Sequence, residues 1–347
     1  MRQFYKIMCL TLALLLALSV GGCSNKTEPV KDTDADKGIV IGFSMATLLE
    51  DRWIRDRDIF LAKAKQEGVE VIVKNANKDS DLQYEQVLEM LKQGIDVLVL
   101  APNDSKKEVR CVEAAKQQGV PVISYDRLVE GADVDVYVSF DHNQVGVLMG
   151  EALLERVPTG GYVVINGSPN DYNSTMIREG LMSVLDPHIE NSEIGLLAET
   201  WVDGWVRETA YSFAQETLRK QGEAIDAIVC GNDSLAWGVI DALSEVQRTG
   251  EVAVVGMDAD LVACRRIVQG QQLMTVYKPI RDLVEATLEV AGKLVRKEPV
   301  EAERTINNGT YDVPFIAIGV EAVTRGNMEE TVIADGFHLR EEIYRSE

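Results

Sequence analysis

From Ile39 onward the chain alternates short apolar runs with amphipathic stretches. IVIGFSM (39–45) precedes DRWIRDRDIFLAKAKQEG (51–68), in which Trp53, Arg57, Phe60 and Ala64 share one helical face and Gly68 ends the helix. The pattern continues through EVIVKNA, a helix over 80–93, DVLVLAP, a helix over 105–118, PVISYD and VDVYVSFD (134–141). A second round starts with a helix over 142–156. It runs through GYVVINGS, a helix near 175–186, EIGLLAETWV, a helix over 206–220, AIDAIVCGND, a helix over 234–248 and EVAVVGMDAD. LMTVYKPI (273–280), a helix over 281–296 and a mixed tail complete the chain. Strands that are apolar throughout and separated by helices predict parallel sheets covered on both faces. Two such rounds predict an α/β protein of two doubly wound parallel-sheet domains.

The first 37 residues break this pattern. Arg2 and Lys6 open a leader whose apolar run, IMCLTLALLLALSV (7–20), suits a signal peptide and is short for a membrane span. It ends in VGGC, which looks like a lipobox, with residues 1–22 removed and Cys23 lipidated. A plain secretory signal that happens to precede a cysteine is the alternative. A lipid on Cys23 would hold the protein at the outer face of a membrane. The next segment, to residue 37, is polar without apolar period and reads as a tether.

Composition narrows the chemistry. The 347 residues suffice for two domains, and 46% hydrophobic content fits a globular chain. The formal net charge is −21, and near −23 once Arg2 and Lys6 leave with the leader. Such a surface would be repelled by nucleic acid and by anionic lipid. Beyond Cys9 and Cys23 there remain Cys111, Cys230 and Cys264, without CxxC or Cys/His spacing, so no metal site is expected. At most one disulfide is possible, and Cys111 and Cys230 read as buried thiols. No phosphate-binding glycine loop is present. His142, His188 and His338 accompany no GxSxG-type nucleophile, so neither a cofactor nor catalysis is expected.

In open parallel sheets, ligands bind beyond the carboxyl ends of the strands. Those positions hold Asp126 and Arg127, Asp171 and Asn173, Trp201 and Trp205, Asn232 and Asp233, Asp258 and Asp260, and Lys278. The first helix adds Arg52 and Trp53. Carboxylates, amides and cations beside flat aromatic faces suit a small neutral polyhydroxylated molecule, since hydroxyls both donate and accept. Each residue also has a structural explanation. The acids can be helix N-caps, Arg127 a surface ion pair, Lys278 a solvent-facing chain, and Trp53 a core residue by its periodicity. Trp237, within LAWGVIDAL, reads as core.

RWIRDRDIF (52–60), SYDR (124–127), YVSFD (137–141), GSPNDYN (167–173), WVDGW (201–205), GND (231–233), DADL (258–261), MTVYKP (274–279) and VIADGF (332–337) together carry a family resemblance. From about residue 38 to the end, the chain resembles the type I periplasmic sugar-binding proteins of ABC transporters, in their pentose and hexose branch and most of all its D-xylose-binding members. The resemblance implies that Arg52, Arg127, Asp171, Asn173, Asn232, Asp258 and Lys278 hold sugar hydroxyls and that Trp205 stacks on the ring. It places Trp53 beside the site, Asp126 behind Arg127 as its orienting partner, and Trp201 as a wall or core residue. Crossings between domains are implied near 141–144, 274–279 and 308–314. The domains would then be 38–142 plus 278–310 and 143–277 plus 311–347. The loop ATLLE (46–50) offers no aromatic, so no second stacking ring is expected from there. A monosaccharide, D-xylose or another pentose or glucose, would be captured by hinge closure and read by an ABC permease, or by a sensor kinase ectodomain. A repressor of this fold would need a DNA-binding helix-turn-helix where this chain has a leader and tether.

Overall fold

A computed structural model describes residues 38–344. The leader, Cys23 and the tether lie outside the described residues. The strands are β1 (Val40–Met45), β2 (Glu70–Asn75), β3 (Val97–Ala101), β4 (Val122–Tyr125), β5 (Val136–Phe140), β6 (Gly160–Asn166), β7 (Ile194–Trp201), β8 (Ile225–Cys230), β9 (Ala253–Met257), β10 (Met274–Tyr277), β11 (Arg304–Asn307), β12 (Asp312–Ile318) and β13 (Glu321–Val323). The helices are α1 (Asp51–Gln66), α2 (Ser80–Lys92), α3 (Val109–Gln117), α4 (His142–Arg156), α5 (Tyr172–Glu190), α6 (Arg207–Gln221), α7 (Asp233–Glu245), α8 (Leu261–Gln269), α9 (Ile280–Val295) and α10 (Arg340–Ile343).

Two sheets result, ordered β11-β12-β5-β4-β3-β1-β2 and β13-β10-β9-β8-β6-β7. The five parallel strands of the second sheet repeat the spatial order of the first, β7-β6-β8-β9-β10 against β2-β1-β3-β4-β5. The central strands of both sheets are buried on both faces, which is why they are apolar at nearly every position, while the edge strands β2, β7 and β11 are mostly half-buried or exposed. In β3, Val97 and Val99 join a core with α1 and α9, while Leu98 and Leu100 point into a second core beneath α2 and α3. No helix among the described residues is long and apolar enough to cross a membrane.

The chain passes between the halves three times, after β5 at Asp141, after β10 at Lys278, and between β12 and β13 at Gly319 and Val320. The third crossing corrects the expectation of 308–314. β12 pairs in parallel with β5, from Phe315↔Tyr137 to Ile318↔Phe140, so residues 312–318 complete the first sheet. Only β13, running antiparallel to β10, joins the second.

The first crossing leads into a close helix pair. A Cβ on Gly146 would lie 1.9 Å from the Ile177 carbonyl oxygen, and one on Gly180 1.9 Å from that of Asn143. The α4 and α5 backbones therefore touch, and this fixes their N-terminal residues, His142 and Asn173, against the same cleft. Cys111, Cys230 and Cys264 are buried free thiols. Burial pushes the Cys111 thiol up to about 12, with Glu108 adding to it.

Candidate functional site

The carboxyl ends of the two sheets face each other across one cavity. It is lined by Glu50, Arg52, Trp53, Asp126, Arg127, His142, Asp171, Asn173, Trp205, Asn232, Met257, Asp258 and Lys278. Counting its open mouth, it holds about 380 Å³ of unfilled space. Of the thirteen strand-end and first-helix residues singled out from sequence, ten line it, and Asp233 and Asp260 do not. Trp201, at the end of β7, does not either; it is 37% exposed, neither wall nor core. Trp237 is also 37% exposed, its ring flanked by Arg207 at 4.6 Å and Arg266 at 5.5 Å, so its apolar neighbours misled the core reading.

On the side of the first sheet, charge is matched within the protein. The buried Arg52 guanidinium donates from Nη2 to Asp126 and from Nε to Asp56 at 3.2 Å, and lies 4.2 Å over the Trp53 ring. Burial works against its charge, but Asp126, Asp56 and Asp258 together hold it firmly protonated. Asp126 has φ of 61°, a left-handed backbone that turns its side chain into the cleft. It also accepts from Asn173 Nδ2 at 3.2 Å, while its own carbonyl accepts from the hydroxyls of Tyr137 and Ser139. Burial raises its carboxyl, yet Arg52 and Lys278 outweigh that and hold it well below the ordinary carboxylate range.

These bonds correct the expected role of Asp126. It orients Arg52 and Asn173, and Arg127 is paired instead with Asp171, Nε to Oδ2 at 2.8 Å. Asp171 is the N-cap of α5, accepting from the Asn173 amide, and its Oδ2 also receives the Trp205 indole N–H at 3.3 Å. Burial nonetheless pushes its carboxyl up, Arg127 only partly offsetting this.

On the side of the second sheet the platform is Trp205. The turn Asp203–Trp205 places Gly204 and Trp205 at φ of 63° and 57°. The indole lies on two glycines: a Cβ on Gly167 would meet ring carbons at 2.1 Å, and one on Gly231 at 3.0 Å. Asn232 caps α7, its Oδ1 accepting from Leu235 N at 2.9 Å. Asp258, at φ of 103°, forms an ion pair with the buried Lys278 at 2.8 Å. Behind them Asp233 accepts from Gln272, Thr275 and the Asp260 amide. Burial and the Asp258 charge push Asp260 up to about 7.

The two sides also touch at the mouth. Ser105 N donates to Asn170 O at 3.0 Å, and Lys78 Nζ to the Gly204 carbonyl at 2.8 Å. The loop before α1 supplies no aromatic, but Trp53 on its first turn lines the cavity while packing in the core beneath, so the core reading and the site reading both hold for it. Four participants escaped notice, among them Glu50 at the N-cap of α1, which lines the cavity. Asp56, fully buried, also takes the Tyr125 hydroxyl at 2.6 Å, and its i,i+4 spacing from Arg52 was the available signal. His142 follows β5 by two residues, close to the position that marked the others. Met257, the last residue of β9, is the fourth.

The model of a periplasmic binding protein domain matches residues 41–299. The D-xylose-binding periplasmic protein of Haemophilus influenzae is 41% identical over 339 residues, 98% of this chain and 99% of that protein. Its namesake from Escherichia coli is 41% identical over 307 residues, 88% of this chain and 93% of that one. Among solved structures, a carbohydrate transporter solute-binding protein from Chloroflexus aurantiacus in complex with D-glucose superposes with a TM-score of 0.84 at 29% identity, covering 88% of this chain and 98% of that one. The chain belongs to the type I periplasmic binding protein family, whose members bind substrates and do not transform them.

Proposed function

We propose that this protein captures a monosaccharide, D-xylose first among them, in the cavity between its two α/β halves and delivers it to an ABC permease. The observation that carries the reading is one cavity lined by carboxylates, amides, cations and the flat indole of Trp205. Each polar type matches an aspect of a sugar hydroxyl, and the indole matches the C–H face of a pyranose ring. The D-xylose named for the two relatives supports the choice of sugar. Closure of the halves would strip water from the site, so a missing or inverted hydroxyl would leave a buried group unpaired at about 1–3 kcal/mol. VGGC before the tether supports an outer-face lipid anchor at Cys23.

Titration calorimetry with xylose, glucose, ribose, arabinose and galactose tests the ligand. Xylose should bind at least about tenfold tighter than its isomers ribose and arabinose, the scale of one buried group left unpaired. No heat from any sugar of the panel would refute the reading. Capture of the sugar-loaded protein by the cognate permease in detergent tests the delivery step.

A further inference from the structure

We propose that His142 determines sugar specificity, accepting a hydrogen bond at Nε2 from one hydroxyl of the bound ring. The proposal rests on the monosaccharide reading above. His142 is the first residue of α4, at the first crossing between the halves, and it is 1% exposed. Its ring lines the cavity, and its Nε2 is buried without a hydrogen-bond partner in the protein. A buried polar atom of this kind calls for a partner.

The surrounding bonds define which partner. His142 Nδ1 lies 3.4 Å from Ser139 Oγ. Ser139 has a single hydroxyl proton, and it is given to the Asp126 carbonyl at 2.5 Å. Toward His142 the serine can therefore only accept, so the imidazole proton sits on Nδ1. The lone pair is then on Nε2, the atom left without a partner. The nearby cations do not fill this role. Arg52 donates to Asp126 and Asp56, and Lys278 is paired with Asp258. Burial lowers the imidazole to about 3, so it stays a neutral acceptor at physiological pH. Lys278 and Arg52 work in the same direction, against Asp126 and Asp258. The imidazole is a neutral acceptor beside Asp126, whose carboxyl is held well below its ordinary range; such an acceptor suits a hydroxyl and offers nothing to an anion.

The test is a calorimetric cycle on the mature chain with D-xylose and its monodeoxy derivatives as probes. His142→Phe is expected to weaken xylose binding by about tenfold, the scale of one buried hydrogen bond. His142→Gln places an amide oxygen near the Nε2 position and should recover most of the loss, which a merely structural role would not predict. For one deoxyxylose, lacking the hydroxyl that meets Nε2, wild type and His142→Phe should bind alike. If His142→Phe binds xylose as tightly as wild type, if His142→Gln recovers nothing, or if the loss is the same for every deoxy sugar, the proposal fails. If wild type binds no sugar of the panel, the monosaccharide reading falls with it, so the two failures are told apart by the wild-type titration alone.

Discussion

The two walls of the cavity are built from the same kinds of residue and finished differently. On the first-sheet wall Arg52, Asp56, Asp126 and Tyr125 form a buried chain in which each charge already has its partner. On the second-sheet wall Asn232 spends its oxygen on capping a helix, but Asp258 Oδ1, although 2.8 Å from the Lys278 ammonium, makes no hydrogen bond among the described residues. The first wall is a preformed frame, and the second keeps hydrogen-bonding capacity in reserve for the cavity. Paired buried charges give shape but little net stability, whereas removing one partner is costly. The same residue types therefore carry different consequences on the two sides.

The largest effect should come from breaking the frame. Asp126→Ala leaves the Arg52 guanidinium and the Asn173 amide without their shared acceptor, and about 3–5 kcal/mol of stability should be lost. Chemical denaturation would measure it, and a loss below about 1 kcal/mol would erase the contrast between the walls. Next comes the platform. Trp205→Ala removes a nearly buried ring from its glycine floor and should weaken xylose binding well over about tenfold, while Trp201→Ala, at an exposed strand end, should change it less than about twofold. Equal losses in calorimetry would refute the assignment of the stacking ring.

A smaller effect isolates the reserve wall. Asn232→Ser keeps a helix-capping oxygen but loses the amide N–H, so stability should stay within about 0.5 kcal/mol while sugar affinity falls about tenfold. Stability and affinity falling together would show that this wall is a frame too. The smallest is a pH effect of opposite sign on the two sides. Asp260 has a raised carboxyl, so its stabilising contribution is complete below about pH 4 and is lost as pH rises through about 7. Asp126 is depressed, so its contribution is present above about pH 4 and is lost only in stronger acid. Between about pH 5 and 8 the melting temperature should fall, and Asp260→Asn should flatten that slope. A slope unchanged in the variant would remove Asp260 as its source.

Strand order and the ligand edge were readable because strands buried on both faces leave uninterrupted apolar runs. The third crossing was not. β12 and β13 are separated only by Gly319 and Val320, and nothing local distinguishes a strand that pairs with β5 from one that pairs with β10. Residue types at the site were also readable, but their pairings were not. Asp126 and Arg127 are adjacent in sequence, and the left-handed backbone at Asp126 sends the two side chains to different partners. Asp56 was hidden because its buried carboxylate lies on a helix whose buried face also packs the core.

The placement of β12 bears on how the chain folds. The first sheet is made mostly from residues before 141, yet its two final strands come from residues 304–318. The early half of the polypeptide therefore cannot complete its sheet until nearly all of the chain is available. Pairings of such long sequence separation form slowly, because the loop must close before the contact gives anything back. A truncation before Asp312 should leave an open strand edge along β5 and an association-prone intermediate, rather than a smaller, independently stable domain.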